Sequence, residues 1–238
     1  MSEYRNELGQ PIGPPLPGWS ARPLPPRTPI AGRFCRVEPL DPEHHAADLF
    51  AANAADKAGR NWTYLPQGPF ADLDDYRRAL VAATERANAL AHAIIAADTG
   101  RPVGVASYLN IDRQAGAIEV GSINYSPQLQ RRPAATEAMF LMMRRVFDEL
   151  GYRRYEWKCD ALNAASRAAA LRLGFRYEGL FRQATVYKER SRDTAWFSVI
   201  DGEWPALRTA FGRWLDPANF DTAGHQRNSL AALRDGAK

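Results

Sequence analysis

Polar and apolar residues alternate over residues 33–39, where Phe34, Arg36 and Glu38 interleave with Arg33, Cys35 and Val37. A period of two marks a half-buried strand. Asp41-Pro42 follows, an N-cap carboxylate and an N1 proline that open a helix carrying Ala46, Ala47, Leu49, Phe50 and Asn53. A loop over residues 59–70 holds Trp62, Tyr64, Leu65, Pro66 and Phe70. A second helix spans about 72–88, and its acidic start (Asp72, Asp74, Asp75) suits the helix dipole. Residues 90–98, 102–112 and 117–125 read as three strands joined by the short turns Thr99-Gly100-Arg101 and 114–116, an antiparallel meander. A long helix runs from Pro133 to about Leu150 and stops at Gly151. Then come a strand over 152–160, a short helix over 163–173 with Gly174 at its C′ position, and a hairpin built from 175–186 and 193–201. A helix over 203–215 and a polar tail to Lys238 close the chain. No internal repeat is visible.

This order predicts a mixed α+β fold around one mostly antiparallel central sheet of about seven strands flanked by helices. The strand–helix–strand unit over 117–160 should set two parallel strands side by side through a right-handed crossover. Ahead of it, Pro11, Pro14, Pro15, Pro17, Pro23, Pro25, Pro26 and Pro29 exclude a helix or an inner strand from residues 10–30. That stretch should be an extended arm docked through Trp19 and Leu16. The chain thus divides into an arm (1–31), a folded domain (32–202), and a C-terminal helix with a tail (203–238) that packs on the domain or trails it.

Composition narrows the class. A chain of 238 residues, 45% hydrophobic and 24% charged, buries one good core. No apolar run approaches the ~18 residues that span a bilayer. Met1-Ser2-Glu3-Tyr4-Arg5 lacks the apolar region of a signal peptide. Cys35 and Cys159 have no metal spacing, and His44, His45, His92 and His225 form no triad or metal pattern. The expectation is a cytoplasmic protein with two reduced thiols and no metal. A net charge of +4 and the pairs Arg131-Arg132, Arg144-Arg145 and Arg153-Arg154 suggest solvated element ends plus one phosphate site. They form no basic run or nucleic-acid module.

That phosphate site has a local basis. The strand ending at Tyr125 meets Ser126-Pro127, then the turn Gln128-Leu129-Gln130-Arg131-Arg132, then a helix opening with Pro133-Ala134-Ala135-Thr136-Glu137. Free amides of a first helical turn and the helix dipole favour an anion there. Two arginines in the turn suit a phosphate or pyrophosphate.

Three segments carry a family resemblance: Glu119-Val120-Gly121 through Gln130-Arg131-Arg132-Pro133-Ala134-Ala135; Asn163-Ala164-Ala165-Ser166 with Leu173-Gly174-Phe175 and Glu178-Gly179; and Asn61-Trp62-Thr63-Tyr64-Leu65-Pro66 with Gly68-Pro69-Phe70. With this element order, the chain resembles the GNAT N-acetyltransferase superfamily over roughly residues 32–201. The branch it looks most like includes the ribosomal-protein N-terminal acetyltransferases. The resemblance implies a V-shaped splay between the fourth and fifth strands, with acetyl-CoA or another short acyl-CoA in the gap. Ile123, Asn124 and Tyr125 would pair with the pantetheine arm, which acts as a short pseudo-strand. Asn163 would bond the same arm, or simply cap its helix. Gln130, Arg131, Arg132, Ala134, Ala135 and Thr136 would hold the pyrophosphate. Pro133 stands where the family's loop has glycine, which gives up an amide but pre-sets the helical φ.

The implied reaction is acyl transfer to a primary amine, on a protein N-terminus or a small molecule. Glu119, among Ile118, Val120 and Ile123, is the candidate base, with an ion-paired structural carboxylate as the alternative. The tyrosine that many relatives use as acid is Ala170 here, so Ser166, Cys159, Tyr187 or water would serve. Cys159 reads more plainly as a buried thiol. Trp62 and Tyr64 would wall the acceptor pocket, although Trp62 and Phe70 equally suit a core. A catalytically reduced acyl-CoA-binding or sensory module is the alternative, on the grounds of Pro133 and Ala170. A homo-oligomer stays open.

Overall fold

The computed structural model describes residues 3–236. Met1 and Ser2 of the arm, and Ala237 and Lys238 of the tail, lie outside them. The strands are β1 (Ile30–Ala31), β2 (Cys35–Pro39), β3 (Leu90–Ala96), β4 (Pro102–Asp112), β5 (Ala117–Tyr125), β6 (Arg154–Asp160), β7 (Arg176–Tyr187) and β8 (Arg190–Ile200). They form one sheet in the order β1-β2-β3-β4-β5-β6-β8-β7. Every pairing is antiparallel except that of β5 with β6. The helices are α1 (Pro42–Asn53), α2 (Leu73–Glu85), α3 (Pro133–Arg144), α4 (Ala164–Arg172), α5 (Trp204–Leu215) and α6 (Leu230–Asp235). This is the mixed α+β sheet that the sequence predicts, with one more strand.

Local chemistry sets the helix starts. The Asp41 carboxylate accepts the amides of Glu43 and His44 and Pro42 fills the first turn of α1; Asp72 accepts the Asp75 amide to start α2. Each face of the sheet then has its own core. Ile94, Ile118, Val120, Tyr155 and Phe197 pack with Met139 and Met142 of α3 and Phe211 of α5. On the other face Ala93, Ile95 and Val105 pack with Leu49, Trp62, Tyr76 and Leu80. Residues of β3 enter both clusters, so its side chains, His92 apart, are apolar without alternation, as a strand covered on both sides requires.

Several boundaries differ from expectation for identifiable reasons. The last two residues of the expected arm, Ile30 and Ala31, pair with β2 and supply the eighth strand. The arm docks through Trp19, whose Nε1 donates to the Gln114 carbonyl at 2.7 Å and whose ring lies against Gly116. Leu16, the other expected anchor, is exposed. The long helix changes to a π turn over Arg145–Glu149, where the buried Arg145 guanidinium donates to the Thr28 carbonyl of the arm. The second helix stops at Glu85, and Asn88 adopts a left-handed conformation just before β3. Strand β8 starts three residues early because Lys188 and Glu189 both take positive φ and close a two-residue hairpin without glycine or asparagine to announce it. The tail returns to the domain: Leu230 is buried, and Phe220 and Leu233 pack against the main core.

One buried carboxylate joins the sheet edge to α3. Glu137 accepts the backbone amides of Arg33, Phe34 and Cys35 at 2.8, 2.6 and 2.8 Å. A Cβ on Gly32 would lie 2.5 Å from that carboxylate, so only glycine fits there. Glu137→Ala would strand three donors and should cost on the order of 3 kcal/mol. The check is a lower urea midpoint at unchanged m-value. His92, buried against the Tyr108 ring at 5.2 Å, gives a second test. Burial, with the Arg145 charge assisting, pushes its pKa from 6.5 down to about 4. The folded state therefore binds the proton less well than the unfolded chain does. The associated stability is complete above 6.5 and is lost as pH falls through about 4. Denaturant titrations between those limits should show this loss in the wild type and a flatter dependence in His92→Phe.

Candidate active site

Strands β5 and β6 pair only from Ala117↔Arg154 to Val120↔Trp157, then separate. The cause lies in β5. Its ladder with β4 runs Val105↔Asn124, then Ser107↔Gly121, so β5 spends three steps where β4 spends two. The extra residue is a β-bulge, and Ser122 within it has φ +48°. The bulge turns the end of β5 away from β6, which leaves the V-shaped gap that the sequence predicts between the fourth and fifth strands of the meander-plus-crossover.

Ile123, Asn124 and Tyr125 lie beyond the bulge. Asn124 is buried, faces Val105 across the ladder, and neither of its side-chain amide atoms is hydrogen-bonded among the described residues. The Tyr125 carbonyl, expected to face a ligand, is already paired. Asn61 Nδ2 donates to it at 3.2 Å and Gln130 Nε2 at 2.8 Å, and Gln130 also donates to Asn61 Oδ1 at 2.7 Å. This clasp joins the α1–α2 loop to the turn before α3.

In that turn the Ser126 carbonyl accepts the amides of Leu129 and Gln130, and Arg131 has φ +60°. Arg132 is the N-cap of α3 without a capping side-chain bond, and Pro133 is N1. Two amides expected to face an anion are spent internally, Arg132 N–H on the Leu129 carbonyl and Ala135 N–H on the Arg132 carbonyl. Charge compensates. Arg131 and Arg132 are exposed, and a third guanidinium that sequence reasoning missed reaches the same helix start. Arg172 of α4 donates to Thr136 Oγ1 at 3.1 Å. None of the three forms a salt bridge among the described residues. The only sequence signal for Arg172 is its place just before Leu173-Gly174-Phe175.

Glu119 and Ser166 fall on opposite faces of β6. Glu119 is buried, but its surroundings are polar instead of the apolar flank expected from Ile118 and Val120, which point to the other face. Asn110 Nδ2 donates to Glu119 Oε2 at 2.6 Å, and Lys158 Nζ lies 2.8 Å from the same atom. Ser166 lies with Trp157 and Cys159, accepting from Trp157 Nε1 at 3.0 Å. Burial raises the Cys159 thiol, against a hydrogen bond with Ser166, so Cys159 is a buried thiol. Asn163 caps α4 by accepting the Ser166 amide through Oδ1 at 3.0 Å, which leaves Nδ2 for a ligand. Ala170 is fully buried and offers no acid. Tyr187 donates to Asp160 Oδ2 at 2.7 Å; burial and that carboxylate push its pKa up to about 12.

The loop between α1 and α2 contacts both sides of the gap. Tyr64 donates to the Leu162 carbonyl at 3.1 Å, and Lys188 at the hairpin tip donates to the Trp62 carbonyl at 2.7 Å. The Trp62 ring itself belongs to the core, 5.3 Å from Phe70 and 6.1 Å from Tyr76. Tyr64 thus borders the gap with its side chain, and Trp62 with its backbone. Among the described residues no group of His, Cys, Asp or Glu is placed to hold a metal ion, and no helix is long and apolar enough to cross a membrane.

A family model described as the acetyltransferase (GNAT) domain matches residues 36–176, more than half of the chain and all of this site except the hairpin residues Tyr187 and Lys188. The chain belongs to the GNAT acetyltransferase family. A GCN5-related N-acetyltransferase from Brucella melitensis is 48% identical, aligned over 92% of this chain and 100% of its own, with a TM-score of 0.90. A probable GNAT-family acetyltransferase from Chromobacterium violaceum is 43% identical over 82% of this chain and 98% of its own, with a TM-score of 0.77. A ribosomal-protein-serine acetyltransferase from Vibrio cholerae, described as putative, shares the fold at 19% identity and a TM-score of 0.63, aligned over 74% of this chain and 99% of its own. A search of curated proteins gives no match.

The clasp in this acetyltransferase is testable. If a pantetheine amide must displace Asn61 from the Tyr125 carbonyl, Asn61→Ala should tighten CoA binding about threefold, the equivalent of one weak hydrogen bond. Isothermal titration calorimetry with CoA reads this directly; unchanged or weaker binding would mean that the Asn61 bond does not compete.

Proposed function

We propose that this GNAT protein transfers an acyl group from acetyl-CoA, or another short acyl-CoA, to a primary amine on a protein N-terminus or a small molecule. The observation that carries the reading is the gap itself. Two strands separate beside a buried carboxylate, and the gap leads to a helix start with Arg131, Arg132 and, from α4, Arg172, none of them ion-paired among the described residues. The residues fit the donor on two counts. The orphaned amide of Asn124 lies on the strand proposed to pair with pantetheine. Arg131 and Arg132 precede the start of α3 in the chain and Arg172 reaches Thr136 in its first turns, and charge-assisted bonds to phosphate are strong.

When bound, the thioester supplies an activated acyl group. The chain's residues do the rest. Ile123, Asn124 and Tyr125 present the strand to the pantetheine arm, and Asn163 Nδ2 steadies the arm from the α4 side. Ala134 and Thr136 complete the phosphate cradle, while Gln130, its donors spent on the turn and the clasp, and Ala135, its amide spent on the Arg132 carbonyl, shape it. Glu119 accepts the proton of the attacking amine on one face of β6. Ser166 stands on the other face, where the sulfur leaves; separation by one strand keeps the two roles apart. Tyr64 and the backbone of Trp62 border the acceptor's entrance.

The test is release of free thiol from acetyl-CoA and succinyl-CoA with three acceptor classes: Ser- and Ala-initiated peptides, spermidine and phenylethylamine. Thiol release above the acceptor-free rate supports the reading. Tight CoA binding with no release across the panel would favour the catalytically reduced module that Ala170 suggests. Reversing Arg131 and Arg132 to Glu should weaken CoA binding by about 100-fold, two charge-assisted bonds being at stake. Glu119→Gln should slow turnover by about 100-fold while sparing CoA affinity; a wild-type rate at every pH would remove Glu119 from the mechanism.

A further inference from the structure

Glu119 and Glu156 are registered partners across the last paired stretch of β5 and β6. Like charges placed directly opposite on one face of a sheet repel. Lys158 removes the conflict. Its Nζ lies 2.8 Å from Glu119 Oε2 and 2.8 Å from Glu156 Oε2. The ammonium also sits over the Trp196 ring, 3.9 Å from its centroid, and the side chain is only 15% exposed. Burial alone would lower the Lys158 pKa, but the two carboxylates outweigh burial and hold it above the ordinary 10.5. Lys158 is therefore a fixed cation at any working pH.

Its place in the chain is as telling as its contacts. Trp157 is the last residue of β6 that pairs with β5, so Lys158 is the first residue beyond the separation point. Its side chain reaches back across the gap to the other strand.

We propose that Lys158 is a positioning residue for the transfer reaction, holding the Glu119 carboxylate through its charge and aiming it at the mouth of the gap. The proposal rests on the reading of Glu119 as the base. The groups around Glu119 are Asn110 from β4 and Lys158 and Glu156 from β6, with Trp196 of β8 covering the ammonium. Arg154, next along β6, bonds Glu156 Oε1 at 2.6 Å and so holds the second carboxylate from its far side. In the step served, the acyl–nitrogen bond forms and the acyl–sulfur bond breaks. The amine's proton goes to Glu119 and the sulfur departs as a thiolate. Lys158 exchanges no proton; it supplies charge and geometry.

The experiment is a carboxyl ¹³C NMR titration of protein labelled at glutamate side chains, with the Glu119 resonance assigned by its loss in Glu119→Gln. It needs no acceptor. In Lys158→Met the Glu119 midpoint should rise by about one to three pH units, the usual effect of one close opposite charge. Lys158→Arg should keep the wild-type midpoint. Adding Glu156→Gln to Lys158→Met should bring the midpoint part of the way back, because the like charge is then gone. Superimposable wild-type and Lys158→Met titrations would overturn the proposal. They would leave the base reading standing if Glu119→Gln still slows thiol release. A moved midpoint with wild-type turnover in Glu119→Gln would overturn both. Should Lys158→Met fail to fold, wild-type and Glu156→Gln decide alone: removing the opposed carboxylate should lower the Glu119 midpoint, and no movement counts against the arrangement.

Discussion

The architecture of the site depends on one lost pairing. A strand interior normally spends every amide and carbonyl on its neighbours, and unpaired backbone is costly when buried. Here β5 and β6 exchange pairs at four positions and then stop, because the bulge at Ser122 diverts β5. The backbone from Ile123 onward must find other partners. The clasp of Asn61 and Gln130 on the Tyr125 carbonyl is one of them. In the proposed reading a pantetheine arm, which carries amides of its own, is another. The same disruption that opens the gap makes its edge adhesive to an extended ligand.

The gap also sorts the chemistry by face. Side chains alternate along β6, so Lys158 and Glu156 face Glu119 while Trp157 and Cys159 face Ser166. In the proposed reading this separation lets Glu119 and Ser166 address a thioester in the gap from opposite sides. The charged face continues as Asn110, Glu119, Lys158, Glu156, Arg154 and Glu178, one connected polar row that runs from β4 over β5 and β6 and crosses β8, where Ser198 donates to Glu178, to reach β7.

Much of this was legible in the residues. Asp41-Pro42 and Asp72 locate helix starts because capping is a local interaction. The meander is announced by its turns, and the GNAT resemblance identifies the gap. What escaped needed three dimensions. The Lys188-Glu189 turn uses no glycine, so nothing in composition marks it. The environment of Glu119 was misjudged from its sequence neighbours, which in a strand point the other way. Its actual neighbours, Asn110 and Lys158, come from adjacent strands 9 and 39 positions away, and only register brings them together. Arg172 was missed for the same reason: its target, Thr136, lies 36 residues earlier.

Register also ties the acceptor side to the donor side. The segment between α1 and α2 touches the gap at three points: Asn61 on the Tyr125 carbonyl, the Trp62 carbonyl on Lys188, and Tyr64 on the Leu162 carbonyl. Each contact reaches a different structural unit: β5, the β7–β8 hairpin tip, and the turn before α4. The opposite face of this segment is pinned by Trp62 packing against Phe70 and Tyr76. A segment fixed by an aromatic core on one side and by three polar contacts on the other is held in place from several elements at once. In the proposed reading, the residue that a donor would displace from the Tyr125 carbonyl belongs to the same segment that would border the acceptor's entrance.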